Sequence, residues 1–258
     1  MRLSAFRANV AGWLFVVLVV ALVEAVVRLF ELRDAVPAPS ATLRALVAAL
    51  RAGTLPEAIG TTLTSYSEGL ALAIAGGVAL GVIIGSSRRL LDGSFVLLEF
   101  LRPIPAVSLI PLAILFFGLG ISMRRFLVAY AALWPILIST LYGVRGSDRL
   151  LHDVANASGV TGARRLARVT LPAALLSIAT GIRVSASIAL LAAVTVEFVT
   201  GTAGLGGYMQ RQQAAYHLPE MYSAIVVAAL LGYGINLVLR IAERRVVFWS
   251  AEERLGRR

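Results

Sequence analysis

Long apolar runs separated by short polar stretches set the layout of this chain. A membrane-crossing helix needs about 20 mainly apolar residues. The first candidate runs from Val10 to Phe30; Ala8 to Val23 carries no charge, and Glu24 and Arg28 follow within two turns. Arg2 and Arg7 would suit a signal peptide, but the apolar run is longer than a typical signal core and no small-residue cleavage site follows directly, so a retained helix is expected. A second span covers about Ile59 to Ile84, with Gly76, Gly77, Gly81 and Gly85 suited to close helix packing. The third, Phe95 to Gly120, is interrupted by Pro103, Pro105 and Pro111. Phe126 to Val144, Ala173 to Thr200 and Met221 to Leu239 complete the set. The pattern predicts an all-α integral membrane protein with about six transmembrane helices, residues 1–258 forming a single domain.

The polar stretches carry the remaining signals. Residues 31–58, broken by Pro37, Pro39 and Pro56, read as a loop with a short helix around Leu43 to Arg51. Arg88, Arg89 and Asp92 read as a short charged loop, and residues 201–220 as a glycine-rich loop. Between the fourth and fifth spans, Leu150, Leu151, Val154 and Ala157 recur at helical spacing, which predicts a short amphipathic helix ending at Gly159. Thr170 and Pro172 suit the N-cap and first turn of the next helix. On physical grounds the short helix fits two roles equally: pressing into a groove on a partner, or lying on lipid.

Composition narrows the class. Of the residues, 59% are hydrophobic and only 15% charged, against about 45–50% and about 25% in soluble proteins. All 24 basic residues are arginine, with no lysine and no cysteine. That excludes a P-loop lysine, Schiff-base chemistry, thiolate catalysis and cysteine-bound metal. The two histidines, His152 and His217, have no partners at metal-like spacing, so no metal or cofactor is expected and the chain reads as non-catalytic. The net charge of +10 would suggest nucleic acid in a soluble protein. Here it reads as topology. With both termini inside, fifteen arginines fall in inner segments and six in outer loops, the positive-inside pattern. Arg124 and Arg125 run against it.

Charges within spans are expensive and mark candidate sites. Arg183 and Glu197 share one helix, 14 residues apart, about 21 Å along the axis and within about 40° of one face. They cannot pair with each other. Glu99 and Arg102 precede Pro103 and Pro105 in the interrupted span. These six residues are candidates for a translocation path or gate. The competing reading is local pairing, for example Arg102 with Glu99.

The segment Asp153-Val154-Ala155-Asn156-Ala157-Ser158-Gly159, followed by Leu171-Pro172, resembles the EAA loop of binding-protein-dependent ABC importer permeases in spacing throughout. Asp153 replaces the usual Glu, and Val154 the first Ala. Leu98 to Pro105, with Ile110-Pro111, Phe117 to Gly120, Gly181-Ile182-Arg183, Glu197 and Gly204 to Gly206, is similar to the nitrate/sulfonate/taurine subfamily. The resemblance implies a type I permease fold in the bacterial inner membrane, and a homodimer formed with a second copy of the chain. It implies two ABC ATP-binding subunits docked on a cytoplasmic coupling loop at about 145–172, through Asp153, Ala155, Gly159, Leu171 and Pro172. It further implies a periplasmic or lipid-anchored binding protein, and a small anion such as a sulfonate, taurine or nitrate as cargo. A secondary transporter or channel not driven by ATP is the alternative; it would carry an internal repeat, and none is visible.

Overall fold

The computed structural model describes residues 2–30, 36–146 and 149–246. Those residues are mostly helical with no strand among them, and they fall into two compact units.

The first unit comprises Met1–Thr61 and Phe198–Ala229. Helix α1 spans Arg2–Leu29 and α2 spans Pro39–Arg51. α2 begins four residues before the expected short helix because Pro39 sits at its first position, where a missing N–H costs nothing. Ala38 offers no side-chain cap. Glu24 of α1 supplies one instead: its carboxylate accepts from the Ser40 backbone N–H at 3.0 Å, the Ser40 hydroxyl at 2.7 Å and Arg28 Nε at 2.7 Å. Pro56 is likewise a first-turn residue of α3 (Thr54–Ser86), so the expected loop ends sooner than its prolines suggested. The glycine-rich stretch also contains a helix, α10 (Leu205–Ala214).

The second unit, Thr62–Glu197 with Leu230–Arg258, holds most of the long helices. The expected charged loop at Arg88, Arg89 and Asp92 is instead the first turn of α4 (Arg88–Leu101), capped by the Ser87 hydroxyl accepting from the Leu90 N–H. A 3-10 turn (Ala106–Leu109) leads into α5 (Ile110–Phe117), and the two halves bend by 85°. The third span is therefore a broken helix. Pro103 and Pro105 lack the N–H groups a straight one would need.

Helix α6 (Ile121–Arg145) packs directly on α3. A Cβ added at Gly69, Gly77, Gly81 or Gly85 would meet Val128, Ile136, Thr140 or Val144 at 2.6–3.1 Å. These contacts advance together along both helices, so α3 and α6 run parallel. If both cross the membrane in one direction, the chain between them must cross back. The bent α4–α5 pair lies on that return path.

After α7 (Arg149–Ala157), the chain runs through α8 (Gly162–Arg165), a π-helical turn (Leu166–Thr170) and α9 (Leu171–Thr200). Thr170 does not cap α9 as expected; it is buried inside the continuous helix. The wide turn has a local cause. Proline clashes with the carbonyl four residues earlier, and the Leu171 N–H reaches back to the Leu166 carbonyl just before Pro172. α9 packs antiparallel to α6: Gly181 abuts Ser139, Gly143 abuts Ala174 and Ser177, and the Ser185 hydroxyl donates to the Ala132 carbonyl at 2.7 Å. α11 (Leu218–Val246) closes the core, with Leu231, Ile235 and Leu239 against Leu190 and its neighbours. Thr54–Ser86, Ile121–Arg145, Gly162–Ala214 and Leu218–Glu243 are each long and apolar enough to span a membrane.

Candidate functional site

The predicted coupling helix α7 ends as its sequence requires. Gly159 has φ +71°, a conformation that costs glycine nothing. The Val160 N–H bonds the Ala155 carbonyl at 2.8 Å and the Gly159 N–H bonds Asn156 at 3.0 Å, which is a Schellman cap. Ala155 is buried, whereas Asp153, Leu150, Leu151, Val154 and Gly159 are exposed. Arg165 Nη1 donates to Asn156 Oδ1 at 2.9 Å and fastens α7 to the helix leading into α9. Leu171 and Pro172 are half-buried at the head of α9. The side chain of His152 lies outside the described residues.

The intramembrane charges separate into two groups at opposite ends of α9. Glu197 is fully buried. Its Oε1 accepts from Arg124 Nη1 at 3.2 Å and the Ser65 hydroxyl at 3.3 Å, and Oε2 accepts from the Thr62 hydroxyl at 2.7 Å. This cluster ties α3, α6 and α9 together. Beside it Arg125 bonds Glu68 at 2.7 Å. Arg124 and Arg125 therefore belong to the first turn of α6, each with an acidic partner, and are not free loop charges.

At the other end, Arg183 Nη1 meets Glu243 Oε2 of α11 at 2.9 Å. Both line a cleft of about 430 Å³ with Ser139, Tyr142, Ser177 and Thr180. Glu99, Arg102, Pro103 and Pro105 are exposed around the break after α4. Arg102 and Glu99 form no ion pair among the described residues. The break is held by the Tyr130 hydroxyl, which donates to the Leu101 carbonyl at 2.8 Å. Three participants gave no signal in the sequence: Thr62 and Ser65 around Glu197, and Glu243 opposite Arg183; Arg124 stood out only as an exception to the charge pattern. Hydroxyls on one helix and a charge on another pair only once packing sets their register. No group of three or more His, Cys, Asp or Glu able to hold a metal occurs among the described residues.

A capped amphipathic helix followed by Leu-Pro at this spacing, on a scaffold of long apolar helices, is matched by one family model. The binding-protein-dependent transport system inner membrane component model covers residues 77–248. The chain belongs to that family.

The permease is similar to an ABC transporter permease protein of Brucella abortus (strain 2308), at 29% identity over 97% of this chain and 95% of that protein. It is also similar to the taurine transport system permease protein of Escherichia coli (strain K12), 29% identical over 77% of this chain and 72% of that protein. Among solved structures, a chain of the methionine ABC transporter MetNI in an inward-facing form superimposes with a TM-score of 0.68. That match has 18% identity and covers 75% of this chain and 96% of that one. It establishes the type I ABC importer permease fold for this multi-pass inner-membrane component.

Proposed function

We propose that the permease carries a small anion, such as a sulfonate, taurine or nitrate, along a path formed with a second copy of itself. An external binding protein delivers the cargo. Two ATP-binding subunits drive the cycle through the loop at about 145–172, with both termini in the cytoplasm and α1 as the first of six spans. Residues 1–258 act as one permease domain.

One observation supports the coupling role above the rest. α7 presents Leu150, Leu151 and Val154 to its surroundings, while the buried Ala155, the Gly159 cap and the Asn156–Arg165 bond hold it to α9. Apolar side chains on a short anchored helix suit helix-in-groove docking, and a push on α7 is delivered to α9. The small-anion reading draws on Arg183 within the helix bundle and on the taurine relative.

The test is uptake and ATP hydrolysis by the complete transporter carrying Gly159→Val. A β-branched residue at φ +71° is strained, so the cap should open. ATP hydrolysis should then continue while ATP-driven uptake falls at least about tenfold. Unchanged coupling overturns the loop assignment, and wild-type uptake that needs no ATP overturns the importer reading.

A further inference from the structure

The cleft lined by Arg183 and Glu243 has a feature that a simple anion path does not need. Its guanidinium shares the cavity with a carboxylate 2.9 Å away. Both side chains retain access to the cavity, with 37% of Arg183 and 16% of Glu243 exposed. Glu243 touches Arg183 through Nη1 alone, so a lone anion that docks on the rest of the guanidinium lies in one cleft with a carboxylate of the same sign. Like charges held that close disfavour each other.

A ligand bearing both signs removes the penalty. Its acid group takes the place of Glu243 on Arg183, and its ammonium takes the place of Arg183 on Glu243, so each ion pair given up is replaced. Arg183 offers five N–H donors in a planar fork, suited to the oxygens of a sulfonate or carboxylate. Ser139, Ser177 and Tyr142 line the same cavity and carry hydroxyls suited to further hydrogen bonds. A volume of about 430 Å³ lies at the small end of ligand pockets and holds a solute of a few non-hydrogen atoms with some water.

We infer that this cleft is a binding site for a short zwitterion carrying one acid group and one ammonium, with Arg183 and Glu243 as its two recognition points. The inference rests on the importer reading above and narrows its cargo from small acids in general to those that also carry an ammonium, as taurine does.

Competition on the wild-type protein tests it without relying on a variant's folding. Radiolabelled taurine is bound to the full-length permease in nanodiscs and displaced by unlabelled taurine, ethanesulfonate or ethylamine. Taurine should displace at least about tenfold better than either singly charged analogue. Glu243→Gln should then weaken taurine binding by about tenfold and leave ethanesulfonate equal or better, while Arg183→Gln weakens both. Equal displacement by ethanesulfonate and taurine, no taurine binding, or equal loss of both ligands in Glu243→Gln overturns the zwitterion site. ATP-driven uptake by the complete transporter is read in parallel. Uptake of ethanesulfonate or nitrate with no taurine preference rejects only this inference, whereas no uptake of any of the three rejects the cargo class itself.

Discussion

Glu197 is an acidic side chain at zero exposure, and its surroundings supply its hydrogen bonds. Three donors from two other helices occupy its two oxygens. Removing one member of such a pair strands the other, which costs about 3–5 kcal/mol, whereas replacing both by apolar residues of similar volume is often neutral. Glu197→Gln should therefore lower the thermal stability of the purified permease sharply, and the double variant Arg124→Met/Glu197→Leu should recover most of the loss. A double variant no more stable than the single one would show that the ionic contact itself is needed. Glycines give a second contrast at this scale. A Cβ at Gly81 would sit 2.6 Å from Thr140 Cβ and 2.8 Å from the Leu137 carbonyl, so Gly81→Ala should force α3 from α6 and destabilise by about 1–3 kcal/mol. Gly93, on α4, has nothing within 4 Å. There Gly93→Ala should gain up to about 1 kcal/mol from helix propensity alone, and the two variants should shift the melting temperature in opposite directions.

Elements were legible from the sequence where the signal was local. The Gly159 stop, the glycine face of α3 and the fifth and sixth apolar spans needed only periodicity and glycine chemistry. Proline was the ambiguous residue. Pro39 and Pro56 suggested a loop, yet each occupies the first turn of a helix. Pro172 suggested a helix start, yet it lies within a helix that absorbs it through a π turn. Proline excludes a backbone N–H, which a first turn, a loop and a widened turn all permit, so the residue alone cannot choose among them. The pairings around Glu197 and Arg183 were illegible for another reason: they join helices far apart in sequence and depend on register. The π turn yields its own prediction. Pro172→Ala restores the missing N–H and removes the ring clash, so residues 166–171 should relax toward an α-helix. Amide hydrogen exchange should slow across that stretch, and unchanged exchange would mean that the neighbouring helices, not Pro172, impose the wide turn.

For the whole molecule, the question is direction across the membrane. If α3 and α6 both cross the membrane, their parallel packing requires a return crossing between them, and the bent α4–α5 pair is the segment that would make it. Under the proposed orientation, which the fifteen-to-six arginine distribution supports, the start of α6 lies outside and α7 inside. Arg124 and Arg125 sit at that outer end, but Glu197 and Glu68 pair with them, so they add little net positive charge to oppose the assignment. α6 has 25 residues, about 37 Å of helix, against a hydrocarbon core of about 30 Å. The residues just past its two ends should therefore reach opposite faces. The absence of cysteine in the chain makes this directly measurable. A single cysteine at the exposed Ser122 should react with a membrane-impermeant maleimide in spheroplasts and not in inside-out vesicles. One at the exposed Ser158, in the cap that follows α7, should show the reverse. If Ser158→Cys labels in spheroplasts, the orientation is inverted and α7 faces away from any cytoplasmic ATPase. If both positions label from one side, α6 does not cross, and the parallel packing of α3 and α6 needs a different path between them.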